Sequence, residues 1–217
     1  MGFINFVKTS EMKKQVLYIA ALLISVFVLW KFVFKSKNNP SDSDKVAFVL
    51  NNHNSESNLS FSMLMDGYYE LSEAFVNWDT AAINESATTF IVLLDRLNLQ
   101  DFKTDSILFK EVKNKANILK DETLGMTLDE NIDEKRASFN LLSQQTLELL
   151  KLAKYSAAQI YYQECPMALN QYEISAFWLS KNHEMENRRN PYLGLYDKKY
   201  GKGMLRCGQT IDSVISY

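Results

Sequence analysis

Apolar residues recur every three or four positions through the middle of the chain, which predicts a series of amphipathic helices. The first stripe runs from Phe61 to Trp78 and the second from Ile83 to Leu97. Asp79, between them, is in the position of a helix N-cap. A third helix is predicted around residues 107–119, ending near Gly125, because glycine favours a helix C-terminus.

The fourth helix is expected to open with Thr127-Leu-Asp-Glu130, which fits a capping box, and to continue to Ala153. After Ser156 the helical period stops, and the segment Gln159–Glu164 predicts a short strand. Four amphipathic helices with short connections pack most simply as an up-and-down bundle. The predicted fold class is therefore mainly α: a four-helix bundle with a small irregular or β element at its C-terminal end.

A longer apolar run near the start of the chain predicts a single transmembrane helix. It covers residues 16–30 and extends to Phe34 past a single Lys31. That length can cross about 30 Å of hydrocarbon if Lys31 reaches out to the interface. A cleaved secretory signal peptide is the competing interpretation, since Lys13 and Lys14 precede the run, but no small-residue cleavage site follows it.

These patterns divide the chain into a membrane anchor at residues 1–35, a polar linker at 36–58 and a helical domain at 59–217. Lysines flank the apolar run on both sides. The charge rule for membrane proteins therefore gives no orientation.

Composition removes two classes of function. The net charge is -2, and no block of Lys and Arg occurs outside the membrane flanks, so no nucleic-acid partner is predicted. The two histidines, His53 and His183, stand in no recognisable catalytic or zinc-binding spacing, and the sequence has no glycine-rich phosphate loop. We therefore predict that the protein is not an enzyme.

The last third of the chain carries four short motifs in a fixed order. They are Cys165-Pro-Met-Ala, Trp178-Leu-Ser, Arg189-Asn-Pro-Tyr and Met204-Leu-Arg-Cys-Gly. This ordered set resembles a bacterial periplasmic domain of unknown function. Members of that family occur alone and fused to periplasmic adaptor subunits of copper and silver efflux systems.

The resemblance covers roughly residues 60–212, with two departures. Ser175 and Ala176 stand where the family usually has a glycine, and extra residues, about 195–201, separate the last two motifs. The resemblance implies a single-pass protein of the bacterial inner membrane, with its N-terminus in the cytoplasm and residues 36–217 in the periplasm.

The candidate chemistry consists of the sulfur atoms of Cys165, Met167, Met204 and Cys207. Thiolate and thioether ligands select soft ions, so this set suits Cu(I) or Ag(I). Two cysteines in an exported domain also commonly form one structural disulfide, here between Cys165 and Cys207. Such a bridge would stabilise the domain by roughly 4 kcal/mol in the chain-entropy model.

Two functions follow from these alternatives. The first is a membrane-anchored periplasmic domain that binds a soft metal ion, Cu(I) above all, in copper or heavy-metal homeostasis or efflux. The second is a disulfide-stapled interaction subunit of a larger membrane complex, without a metal. The expected partners are the membrane and proteins of an efflux system or another membrane complex.

Overall fold

The computed structural model describes residues 55–195, 199 and 203–214. Within them, four α-helices precede a small antiparallel sheet, which confirms the mainly helical fold with a β element at its C-terminal end. The helices are α1 (Ser55–Val76), α2 (Thr80–Asp95), α3 (Ser106–Leu128) and α4 (Ile132–Leu152); the strands are β1 (Ile160–Leu169), β2 (Ile174–Ser180) and β3 (Gln209–Val214).

Asp79 is the N-cap of α2, as predicted. Its carboxylate accepts hydrogen bonds from the amides of Ala81 and Ala82, at 3.1 and 3.0 Å. Asp105 caps α3 in the same way, accepting from the amides of Ile107 and Leu108. Each aspartate thus satisfies amides that have no partner within the helix.

The predicted boundary between α3 and α4 is wrong. Helix α3 does not end near Gly125 but continues to Leu128, because Met126 is fully buried and extends the apolar stripe beyond the glycine. The predicted capping box at Thr127–Glu130 does not form. Instead, Asn131 caps α4 by accepting a hydrogen bond from the amide of Asp133 at 2.9 Å.

Helix α1 begins earlier than the sequence predicts. Residues 55–58, assigned above to the polar linker, form its first turn. The Ser57 hydroxyl is buried and donates to the backbone carbonyl of Asn98 at 2.9 Å, so a tertiary contact stabilises this polar turn.

The core of the bundle is built around aromatic side chains of α1 and α4. Phe139 of α4 stacks against Tyr68 and Phe75 of α1, with ring centroids 5.5 and 4.6 Å apart. All three side chains are fully buried. Consecutive helices also pack against each other, and the result is a helical bundle.

The sheet has the strand order β2-β1-β3 and is joined to the bundle through β2. The Phe177 amide donates to Oδ1 of Asn140 on α4 at 2.8 Å, and the Leu179 amide donates to the Tyr68 hydroxyl at 3.0 Å. Strand β1 is longer than predicted and includes the Cys165-Pro-Met-Ala motif, with an irregularity in its pairing between Cys165 and Leu169.

No helix among residues 55–195 and 203–214 is long and apolar enough to cross a membrane. The anchor predicted at residues 1–35, and the linker up to residue 54, lie outside the described residues. The anchor and its orientation therefore stay predictions.

Candidate dithiol site

Strand pairing brings Cys165 and Cys207 together. Cys165 lies on β1, the central strand, and Cys207 stands two residues before β3. Because Glu164 pairs with Gln209, the start of β3 is held beside Cys165. The two Sγ atoms are 3.0 Å apart, although the residues are 42 positions apart in the sequence, and both thiols are free.

The short segment that carries Cys207, residues 204–208, folds tightly against β1. The Cys207 amide donates to the Met204 carbonyl at 2.9 Å, which closes a turn. Gly208 follows with a φ of 131°, a conformation that side chains rarely adopt. A Cβ atom at this position would lie 2.6 Å from the Glu164 carbonyl oxygen and 2.7 Å from the Trp178 ring. Only glycine therefore fits here without a shift of the backbone.

A buried asparagine links both cysteines. The Nδ2 atom of Asn190 donates to the Cys207 carbonyl oxygen at 2.9 Å, and the same side chain lowers the pKa of the Cys165 thiol. Its Oδ1 atom accepts from the amides of Tyr192 and Leu193 at 2.8 and 3.2 Å. The residue has no exposed surface.

The two thiols have opposite shifts in acidity. The hydrogen bond from Cys207 is the largest influence that lowers the pKa of Cys165 to about 7, and hydrogen bonds from the Met167 amide and Asn190 act in the same direction. The pKa of Cys207 is raised, first by its hydrogen bond to Cys165 and then by burial. The pair therefore favours a single thiolate that accepts a hydrogen bond from the remaining thiol.

The two predicted methionines flank the thiols along the chain. The Met167 backbone lowers the pKa of the Cys165 thiol, and the Met204 carbonyl accepts from the Cys207 amide. Both methionine side chains are half-buried and pack against the hydrophobic core. The structure thus brings the two cysteines into direct contact. Each methionine lies within three residues of one cysteine along the chain.

Residues 64–157 match the model of a family described as "Protein of unknown function (DUF3347)". A DUF3347 domain is therefore found in the helical part of the chain. The match agrees with the expected resemblance to a domain of unknown function, and it ends before Cys165. No curated protein and no solved structure matches the chain.

Within the part of the chain that the structure describes, no three His, Cys, Asp or Glu side chains are grouped so that they could hold a metal ion. The candidate ligands that follow the DUF3347 match are thus the two thiols, with Met167 and Met204 near them in the sequence. Such a set differs in kind from the carboxylate and imidazole sites of hard and intermediate ions.

Three residues around the dithiol were not assigned a role from the sequence. Asn190 and Arg189 belong to the Arg-Asn-Pro-Tyr motif, and Gly208 ends the Met-Leu-Arg-Cys-Gly motif. Arg189 forms an ion pair with Glu73 of α1, in which two guanidinium nitrogens donate to the two carboxylate oxygens. This ion pair attaches the motif to the bundle. The presence of Asn and Gly within ordered motifs was the available signal, but their contacts depend on the tertiary fold.

Proposed function

We propose that this protein binds a soft monovalent metal ion, Cu(I) or Ag(I), through Cys165 and Cys207, with Met167 and Met204 as adjacent thioether ligands. The observation that carries the proposal is the contact between two thiols that are remote in sequence, at an Sγ–Sγ distance of 3.0 Å. Two thiolates with neighbouring thioethers form a ligand set that prefers monovalent copper or silver.

The distance between the sulfurs can be compared with what an ion requires. Metal–thiolate bonds are about 2.3 Å long for zinc, so an ion between two sulfurs keeps them at most about 4.6 Å apart. From 3.0 Å the sulfurs would have to separate by no more than about 1.6 Å. Cys207 lies in a short connecting segment, whereas Cys165 lies in the central strand, so this movement falls to the Cys207 side.

The surroundings of the sulfurs also suit a thiolate ligand. The Met167 backbone and the Asn190 side chain both lower the pKa of the Cys165 thiol and so favour its thiolate. Such neighbours orient a metal-binding thiolate and stabilise its charge. Cys165 is fully buried and Cys207 is half-buried, so the site is shielded from bulk water but is reached from the Cys207 side.

The same contact favours a second candidate function, a disulfide-stapled interaction subunit of a larger membrane complex. A disulfide bond is about 2.05 Å long, so the sulfurs would have to approach by only about 1 Å. In this state Met167 and Met204 serve as core residues. The protein isolated without reductant would then contain no free thiol and would co-purify with its partner complex.

The proposal includes a cellular setting. Residues 1–35 anchor the protein once in the bacterial inner membrane, and the domain that follows faces the periplasm. There it would deliver or buffer the ion for a copper or heavy-metal homeostasis or efflux system, without catalysing a reaction. The sequence resemblance to domains fused to efflux adaptor subunits supports this setting.

A Cu(I) competition titration on the full-length chain in detergent, after reduction, tests the metal proposal. Cys165→Ser and Cys207→Ser should each abolish tight binding. Met167→Leu and Met204→Leu should each weaken it by about tenfold, which corresponds to about 1.4 kcal/mol. Met63→Leu is the matched control, because Met63 lies on the exposed side of α1 and should leave binding unchanged.

Unchanged Cu(I) affinity in both cysteine variants would refute the metal proposal. A protein that is isolated as the disulfide, and that binds no Cu(I) after reduction, would support the stapled subunit instead.

A further inference from the structure

We propose that Asn190 is the positioning residue of the dithiol: its side-chain amide holds the Cys207 segment beside β1 and so keeps the two thiols close enough to take one ion or form one disulfide. This inference rests on the proposed function. It goes beyond that function because it assigns a role to a residue that carries no sulfur and cannot itself select a soft ion.

Three hydrogen bonds fix this side chain at both of its ends. An asparagine amide has two N–H donors and a carbonyl oxygen with two lone pairs. One donor serves the Cys207 carbonyl at 2.9 Å, and the carbonyl oxygen accepts from the amides of Tyr192 and Leu193. The side chain also acts on the Cys165 thiol, whose pKa it lowers. The amide nitrogen of the side chain thus binds the Cys207 segment, while the amide oxygen is fixed to its own turn.

The backbone around Asn190 makes this turn a firm support. Its amide donates to the Leu205 carbonyl at 3.0 Å, and its carbonyl accepts from the Gly194 amide at 3.1 Å. The preceding Arg189 is paired with Glu73 on α1. Asn190 therefore connects the Cys207 segment to a turn that is itself fastened to the helical bundle.

Loss of the amide should separate the two thiols. The Cys207 carbonyl would lose the partner that ties its segment to the Asn190 turn. The Cys207 segment would keep its contact from Arg188 to the Gly208 carbonyl and its pairing at the start of β3. The segment should therefore remain attached to the sheet, but with a wider range of distances between the sulfurs.

The test compares Asn190→Ser with Asn140→Ser in the full-length protein. Serine at position 190 retains an oxygen that can accept from the Tyr192 amide, but it cannot reach Cys207. Asn140 is the matched control: its Oδ1 accepts from the Phe177 amide at 2.8 Å and so joins α4 to β2. Within the described residues, no hydrogen bond joins it to either cysteine. Both variants are measured at a temperature at which circular dichroism shows them folded.

The first readout is the equilibrium between dithiol and disulfide in a glutathione buffer. In this reaction one oxidised glutathione accepts two electrons and two protons, so that one protein disulfide and two reduced glutathiones form. The equilibrium constant reports how closely the two thiols are held. Asn190→Ser should lower it at least tenfold, which is about 30 mV for this two-electron couple, whereas Asn140→Ser should leave it unchanged.

The second readout is Cu(I) affinity, which Asn190→Ser should weaken by about 10- to 100-fold, as residues behind metal ligands do elsewhere. If both variants match the wild type in the glutathione equilibrium, or change it equally, the positioning role is overturned. If the wild type binds no Cu(I) but Asn190→Ser still shifts the glutathione equilibrium, the metal function fails and the positioning role stands. Should Asn190→Ser not fold, Asn190→Asp, which has the same shape but lacks the donor, takes its place with the same criteria.

Discussion

Replacement of glycine by alanine should have opposite effects on stability at two positions of this chain, Gly208 and Gly125. Gly208→Ala adds a methyl group 2.6 Å from the Glu164 carbonyl oxygen and 2.7 Å from the Trp178 ring, at a φ of 131°. A backbone conformation of this kind costs about 1 to 3 kcal/mol for a residue with a side chain, and overpacking adds about 1 to 3 kcal/mol. We expect the free energy of unfolding to fall by about 3 kcal/mol or more.

Gly125→Ala is the control, because Gly125 lies in the interior of α3 and its Cβ would meet nothing within 4 Å. Alanine is favoured over glycine in a helix by about 1 kcal/mol, so this variant should be more stable than the wild type. Urea unfolding of the reduced protein, followed by far-ultraviolet circular dichroism, measures both changes. The reasoning about the Gly208 segment is refuted if Gly208→Ala is as stable as the wild type while Gly125→Ala behaves as expected.

Three further predictions concern the sheet, the motif that carries Asn190 and the thiols. Tyr68→Phe should lower the free energy of unfolding by about 1 to 3 kcal/mol in urea unfolding, because it leaves the buried Leu179 amide without its acceptor; stability equal to the wild type would contradict this. Arg189→Gln should cost no more than about 1 kcal/mol, with a smaller effect at high salt, since its ion pair with Glu73 is exposed; a larger, salt-independent loss would point to another role. The ultraviolet absorbance of thiolate should rise through about pH 7 in the wild type and at higher pH in Cys207→Ala, since the hydrogen bond that most lowers the pKa of Cys165 is then absent; an unmoved titration would contradict the assignment.

The helical half of the fold was largely predictable because it depends on local patterns. The apolar stripe from Phe61 and the cap at Asp79 need only the spacing of side chains and a short polar residue at the helix start. The errors occur where tertiary burial outweighs local preference. Gly125 is typical of a helix end, but α3 continues past it because Met126 is buried. The polar residues 55–58 are helical because Ser57 makes a tertiary contact with Asn98.

The sequence predicts which two cysteines form the dithiol, but not the strand pairing and side-chain contacts that bring them together. Both the metal and the disulfide hypotheses require Cys165 and Cys207 to meet, so their contact was expected. What brings them together is the pairing of β1 with β3, and neither the length of β1 nor the presence of β3 follows from a simple period. Asn190 was visible only as part of a motif, since its partners come from three separate segments of the chain.

The two cysteines are held in different ways. Cys165 is held by the central strand, which β2 connects to α1 and α4, so its position follows that of the bundle. Cys207 is held by a short segment whose position depends on Asn190 and on the Arg188 contact to Gly208. A bound ion or a disulfide would join these two supports covalently or by coordination, and either change requires a shift of about 1 to 2 Å. On the proposed function, the Cys207 segment, which lies outside the DUF3347 match, would make this shift while the helical core stays in place.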